Sequence, residues 1–166
     1  MSADKTPRRW LITGANSGFG TAFTRAALAA GDEVVAAVRK PESMAEIVAA
    51  QPYRVQVVQL DVRDAAAAER AVKEAGHVDV LVNNAGYGIV GAIEETTEAD
   101  VRDAMQVMFH GPLRLTQLVL PQMRERRSGA IVQVSSMGGF MSFAGVGIYS
   151  AARARWNWPA RPSPPR

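Results

Sequence analysis

Short apolar runs rich in β-branched residues alternate with segments of helical periodicity over the first 150 residues, which leaves the chain very few architectures. The strand-length runs are 10–13, 33–38, 54–60, 78–82 and 130–134. Their apolar character is nearly continuous rather than alternating, as expected of strands covered on both faces. Helix-like segments fall between them at 18–30, 42–50, 65–75 and about 98–126. Alternation of this kind predicts an α/β domain with right-handed crossovers and a doubly wound parallel sheet of about five strands. Asp64 stands where a helix N-cap belongs, and Gly31 where a helix should stop. The pair Gly111-Pro112 predicts a break or kink in the long helix.

Composition narrows the function. The 166 residues suit one domain with its own core, and 48% are hydrophobic. There is no cysteine, which excludes disulfides, thiolate metal sites and cysteine nucleophiles, and no metal site is expected. No apolar run reaches the roughly 20 residues of a membrane span. The start of the chain, residues 1–7, is a polar tail without the apolar stretch of a signal peptide, so a cytoplasmic location is expected. The net charge of +3 comes from the other end: Arg153, Arg155, Arg161 and Arg166 lie in a segment with no acid, and without them acids outnumber bases by one. That is not the basic face on a folded body that a nucleic-acid partner calls for.

The sharpest local signal follows the first strand. Thr13-Gly14-Ala15-Asn16-Ser17-Gly18-Phe19-Gly20 leads directly into a helix-like segment. Glycines at 14, 18 and 20 allow a sharp strand-to-helix turn and a close approach of backbone to a diphosphate, while the helix N-terminus aims its N–H groups and positive dipole end at that charge. The turn reads as a dinucleotide site built from Gly14, Asn16, Ser17, Gly18, Phe19 and Gly20; the other reading is a tight turn without a ligand. The second strand ends in Arg39-Lys40. An acid near that end favours NAD, whereas an arginine suits the 2′-phosphate of NADP. Asp32 and Glu33 lie at the strand's opposite end. Arg39 is therefore expected to grip a 2′-phosphate, with NADP preferred and NAD possible, unless it is simply a solvated surface arginine.

At this point the sequence resembles the short-chain dehydrogenase/reductase family. Four features carry the resemblance in order: the glycine turn, Asp61-Val62 closing the third strand, Asn83-Asn84-Ala85-Gly86 after the fourth, and Ser136 followed thirteen residues on by Tyr149. They span about residues 8–152. The resemblance implies a Rossmann-like sheet and an oxidoreductase that moves hydride between a nicotinamide and an alcohol or carbonyl substrate. It implies that Asp61, beside Val62, faces the adenine amino group, and that the segment with Asn84, Ala85 and Gly86 lines the cofactor cleft. Ser136 would polarise the substrate carbonyl and Tyr149 would be the general acid/base. A family member of this kind is often a homo-oligomer.

The chain departs from the family pattern in three places. The lysine usual four residues after the tyrosine is Arg153, which keeps the charge but cannot release a proton near neutral pH. Met108 stands where the family usually has an asparagine that holds a relay water, and a thioether is a poor substitute for an amide. His110 and His77 read as an ordinary helix histidine and an exposed one. Finally, the last strands of the family fold have no counterpart. Residues 153–166 contain four prolines and no periodicity, and read as a disordered Arg/Pro-rich tail. Trp156-Asn157-Trp158-Pro159 must be encoded TGG-AAY-TGG-CCN, which in a shifted frame yields Glu-Leu-Ala, so the tail also reads as out-of-frame translation. Three functions stand at this level: a reductase, its activity in doubt in this truncated form; a dinucleotide-binding module or sensor without catalysis; and, less favoured because a shifted frame explains the tail more simply, an interaction protein that docks through the arginine/proline tail.

Overall fold

The computed structural model describes residues 6–157. Five parallel strands form one sheet: β1 Arg9–Thr13, β2 Glu33–Val38, β3 Val55–Gln59, β4 Val80–Asn83 and β5 Ala130–Gln133, in the order β3-β2-β1-β4-β5. The order reverses at β1, so the crevice beyond the carboxyl ends of β1 and β4 is where an open α/β sheet receives a ligand. The sheet is flanked by α1 Gly18–Ala29, α2 Ala45–Ala50, α3 Ala65–Ala75, α4 Glu98–Met105, α5 Gly111–Arg126 and α6 Gly147–Ala154.

The central strands β1, β2 and β4 are largely buried on both faces, while β3 and β5 at the sheet edges are partly exposed, and successive side chains feed two separate cores. On one face Leu11, Val35, Ala37, Val58 and Leu81 pack with residues of α3 and α5, among them Ala68, Ala71, Leu115 and Val119. On the other, Ile12, Val34, Ala36, Val38, Val80 and Val82 pack with Ala27 and Leu28 of α1 and with Met44. Alanines dominate the buried stripe of α3, so that helix lies close on the sheet. Its start is capped as expected: the Asp64 side chain accepts from the N–H groups of Ala66 and Ala67. Gly31 adopts a φ of +84° just after α1, the left-handed stop that glycine accepts without steric cost.

Two expectations need correction. The long helix does not break at Gly111-Pro112; the irregularity precedes the pair, as a π-helical turn at Gln106–His110, and α5 begins at Gly111. Pro112 lacks the N–H that an unbroken α-helix would give to the Met108 carbonyl, and the wider turn moves the mismatch upstream. Nor does the ordered body end at residue 152. Arg153 lies within α6 and a further turn spans Arg155–Asn157, with Arg153 and Trp156 both buried. The rest of the expected tail, 158–166, and the first five residues lie outside the described residues.

Asp32 ties the amino-terminal end of the sheet together. Its carboxylate accepts from the Arg8 N–H at 3.1 Å, the Arg8 guanidinium at 2.9 Å and the Trp10 indole at 2.8 Å, and only 1% of the residue is exposed. Burial works to raise its pKa, but the hydrogen bonds from Arg8 and Trp10 outweigh it and hold the carboxyl below the ordinary value of 3.8. Replacing Asp32 by Ala leaves those donors unmatched and should cost about 2–3 kcal/mol in chemical denaturation. Because the folded pKa is depressed, the stabilisation is complete above the unfolded pKa and is lost as pH falls below about 4. The variant should therefore show a shallower loss of stability from pH 5 to pH 2 than the parent.

Candidate functional site

The turn after β1 is held by backbone geometry and by one latch from β4. Gly14 and Gly18 adopt φ of +64° and +51°. The Gly14 N–H donates to Ala37 O at 2.9 Å, fastening the turn to β2. An added β-carbon at Gly20 would lie 2.0 Å from the Gly14 carbonyl oxygen and 2.7 Å from Asn84 Nδ2, so only glycine lets α1 start this close to β1. Thr13 Oγ1 accepts from the N–H groups of Asn84 and Ala85, both at 3.0 Å, while Asn84 Nδ2 donates to the carbonyls of Thr13 and Gly14 at 2.9 and 3.2 Å. Asn84 thus shapes the turn with its side chain. Ser17 occupies the N-cap of α1 without a side-chain hydrogen bond to it, and the first turn carries no acid. The leading amides of α1 therefore have no side-chain acceptor, as an anion-binding helix end requires.

Beyond this turn opens a cleft of about 700 Å³. Of the residues singled out in the sequence, Gly14, Asn16, Ser17, Arg39, Asp61, Val62, Asn84, Ala85 and Gly86 line it. Gly18, Phe19 and Gly20 do not: Gly20 is buried beneath the turn, and the Phe19 ring is 73% exposed beside Phe23.

The outer wall holds residues that the motifs did not reveal. Lys40, Arg63, Tyr87 and Asp103 also line the cleft. Arg63 bridges Asp61 at 2.6 Å and Asp103 at 2.8 Å, and the Tyr87 hydroxyl donates to Asp103. Hydrogen bonds from Arg63 hold the Asp61 carboxyl below its usual range despite partial burial. Burial and the bond to Asp103 push the Tyr87 phenol up to about 12. Asp61 reaches the cleft as expected, with both carboxylate oxygens already engaged by Arg63. A signal for this network was present in the Asp61-Val62-Arg63 spacing, because an i, i+2 pair at a strand end can close on itself. Asp103 and Tyr87 are distant in sequence and gave none.

Ser136, Tyr149 and Arg153 lie outside the cleft lining. Ser136 follows β5 and its Oγ accepts from the Gly138 N–H at 3.1 Å. Tyr149 is half-buried in α6 with its ring against Gly138, where an added β-carbon would meet it at 3.2 Å. Arg153 comes one turn later and its guanidinium stands 5.4 Å from the centre of the Tyr149 ring. It donates to the Val134 carbonyl at 2.7 Å and presses on Gly86, at which a β-carbon would sit 2.2 Å from Nη2. Its Nε is buried without a partner. The loops around this end expose Val90, Ile93, Met137, Phe140 and Phe143, and a Gly91 N–H to Gly145 O bond of 2.8 Å joins them.

Met108, expected at the relay position, is fully buried in the π-helical turn. Its carbonyl, deprived of a Pro112 N–H, accepts from the Trp156 indole at 2.7 Å, and the Trp156 ring lies 5.3 Å from that of Phe109. His110 is exposed on the same turn, and His77 is exposed and bonded to Asp79 at 2.6 Å. Among the described residues no cluster of three His, Asp or Glu could hold a metal ion, and no helix is long and apolar enough to cross a membrane.

Gly20→Ala tests the turn. The added methyl meets backbone on one side and Asn84 on the other, so α1 must move away from β1. Nucleotide binding should fall at least about tenfold with roughly 1–3 kcal/mol of stability lost, read by calorimetry and denaturation. Gly88→Ala, where a β-carbon meets nothing within 4 Å, is the control.

Comparison with known proteins agrees with this geometry. The sequence model for short chain dehydrogenases matches residues 8–157. A 3-ketodihydrosphingosine reductase of Bacteroides thetaiotaomicron is 38% identical over 151 residues, covering 89% of this chain and 54% of the reductase. A short-chain dehydrogenase from Streptomyces avermitilis superposes with a TM-score of 0.87 at 48% identity, covering 91% of this chain and 57% of that one. A closed form of serine dehydrogenase complexed with NADP+ superposes with a TM-score of 0.85 at 32% identity, covering 89% of this chain and 62% of that one. The chain spans about half the length of the curated relatives it matches. A match over nearly all the described residues, on a five-stranded sheet of the same architecture, places this chain in the short-chain dehydrogenase family of oxidoreductases.

Proposed function

We propose that this chain binds NADP(H) in the cleft at the mouth of β1 and serves a hydride transfer between that cofactor and an alcohol or carbonyl substrate. The observation that carries the reading is the glycine crossing at position 20, which sets uncapped α1 amides over a cleft walled by Arg39 and Lys40. Both cations are exposed and neither forms an ion pair among the described residues. They favour a 2′-phosphate, whereas the acid that would favour a ribose hydroxyl, Asp32, is buried at the other end of β2. The NADP+ complex of the serine dehydrogenase supports the same choice.

The nicotinamide supplies the hydride acceptor or donor; everything else falls to the chain's own residues. The leading amides of α1, beside the lining residues Asn16 and Ser17, hold the diphosphate. Asn84 keeps the turn at its spacing. Tyr149 exchanges the proton of the substrate oxygen, Ser136 donates a hydrogen bond to that oxygen, and Arg153 keeps a positive charge beside the tyrosine ring.

A second reading, a nucleotide-binding module without turnover, has specific support. An arginine at 153, bonded through one terminal nitrogen to Val134 O, cannot release a proton near neutral pH, and the Met108 carbonyl is covered by Trp156, so neither carries a proton to bulk water. Turnover separates the two readings: oxidation of NADPH on a panel of ketones and aldehydes, abolished in Tyr149→Phe with nucleotide affinity intact, supports the reductase, and binding without oxidation supports the module. Arg39→Ala should weaken NADP+ by about tenfold, worth about 1.4 kcal/mol, and leave NAD+ nearly unchanged. Tighter binding of NAD+ than of NADP+ by the parent protein contradicts the NADP assignment.

A further inference from the structure

We propose that the apolar recess between the loop from β4 to α4 and the loop from β5 to α6 receives the hydrocarbon arm of the substrate, so that the carbonyl compound handled here is an uncharged ketone bearing an alkyl chain. The inference rests on the reductase reading above and names the substrate class for that same site. Reduction adds a hydride at the carbonyl carbon and the Tyr149 proton at its oxygen, turning NADPH into NADP+ and the ketone into a secondary alcohol.

The recess measures about 240 Å³. Ile89 and Ile93 line it from one loop, and Phe143 and Ile148 from the other side. Glycine gives it its shape: Gly91, Gly145 and Gly147 line it without side chains, and the Gly91 N–H to Gly145 O bond ties the two loops together at 2.8 Å. Gly145 holds a φ of +78°, which other residues rarely adopt, so the opening is fixed in the backbone. The one hydroxyl in the lining, Thr96 Oγ1, already donates to the Ala92 carbonyl at 3.1 Å. No charged side chain lines the recess. The sequence around it is equally free of charge, with no Asp, Glu, Lys or Arg in residues 80–93 or 128–152. A carboxylate or phosphate entering the recess would lose its water and meet no opposite charge.

Its place in the chain ties the recess to the reacting groups. Gly147 and Ile148 directly precede Tyr149 in α6, and Ser136 lies on the loop that carries Phe143. The Tyr149 ring packs on Gly138 of that same loop. The two loops also expose Val90, Met137, Phe140 and Met141, an apolar rim of the kind that marks a ligand site. Size decides the occupant. Pockets for drug-sized ligands start at roughly 300 Å³, so this one suits a single substituent of a small molecule, whereas a partner helix would need an extended groove.

NMR titration of the 166-residue chain, carbon-13-labelled at its isoleucine methyl groups, with butanone, hexan-2-one and octan-2-one tests the assignment. The Ile89, Ile93 and Ile148 methyl resonances should shift, and the dissociation constant should fall about two- to fourfold for each added methylene. The oxo acid 7-oxooctanoate, of the same length with a terminal carboxylate, should bind at least about tenfold more weakly than octan-2-one. Affinity that ignores chain length, or tighter binding of the oxo acid, overturns the proposal. Ile93 is 65% exposed, so Ile93→Asp is compatible with the fold. That variant should weaken octan-2-one by at least about tenfold and butanone by less than about threefold, and an equal loss for both overturns the proposal. Methyl shifts that follow protein concentration instead of ketone mark the recess as a contact between copies and overturn it as well. Oxidation of NADPH with the same compounds separates this inference from the reading beneath it. Octan-2-one held in the recess without any oxidation upholds the apolar site and sinks the reductase reading. Oxidation driven by 7-oxooctanoate with the isoleucine methyls unmoved upholds the reductase and overturns the substrate class.

Discussion

The site is built on one backbone crossing that leaves no room for a side chain. At position 20 the first turn of α1 passes so near the Gly14 carbonyl that a single methyl would overlap it. Everything at the mouth of the sheet depends on that approach. It places the leading amides of α1 at the carboxyl edge of β1. Asn84 then reaches from the end of β4 to the Thr13 and Gly14 carbonyls, and Thr13 returns the bond to the amides of Asn84 and Ala85. The cleft lies at the point where the strand order turns back, because β2 and β4 leave β1 on opposite sides.

Charge is distributed around this frame with a clear division. At the amino-terminal edge of the sheet, Arg8 and Trp10 secure Asp32, and Arg9 bonds Glu33 at 2.5 Å. That edge is ion-paired and saturated. At the carboxyl edge, Arg39 and Lys40 remain exposed beside a wall whose own arginine is divided between two acids. Uncommitted positive charge is thus found at the cleft, where a phosphate would meet it, and little of it elsewhere on the sheet. The α6 end is built differently. Arg153 and Trp156 bury themselves to bind carbonyls of β5's exit and of the π-helical turn.

Much of this was legible in the sequence because the relevant signals are short-range. Strand runs covered on both faces read as continuous apolar segments, and the two cores confirm why: Val34 and Val35, neighbours in β2, belong to opposite faces. Asp64 and Gly31 act locally, through a cap and a positive φ, and were visible for that reason. What sequence could not supply was long-range pairing. The Arg63–Asp103 bridge spans 40 residues and the Trp156–Met108 bond spans 48. The second of these explains two misreadings together. A proline-rich ending suggested disorder from residue 153, yet Trp156 finds an acceptor because Pro112 leaves the Met108 carbonyl without its helical donor, and the π-helical turn moves the irregularity ahead of Gly111. Phe19 misled in a simpler way: its backbone belongs to the turn, and its ring faces solvent.

The account is tested most directly by following the backbone amides of the turn during a titration with NADP+. With 15N-labelled protein, the amide resonances of Ser17, Gly18, Phe19 and Gly20 should show the largest shifts, moving together with those of Arg39 and Lys40 as the site saturates. Shifts confined to other parts of the chain, with the residues 14–20 unmoved at saturation, would contradict it.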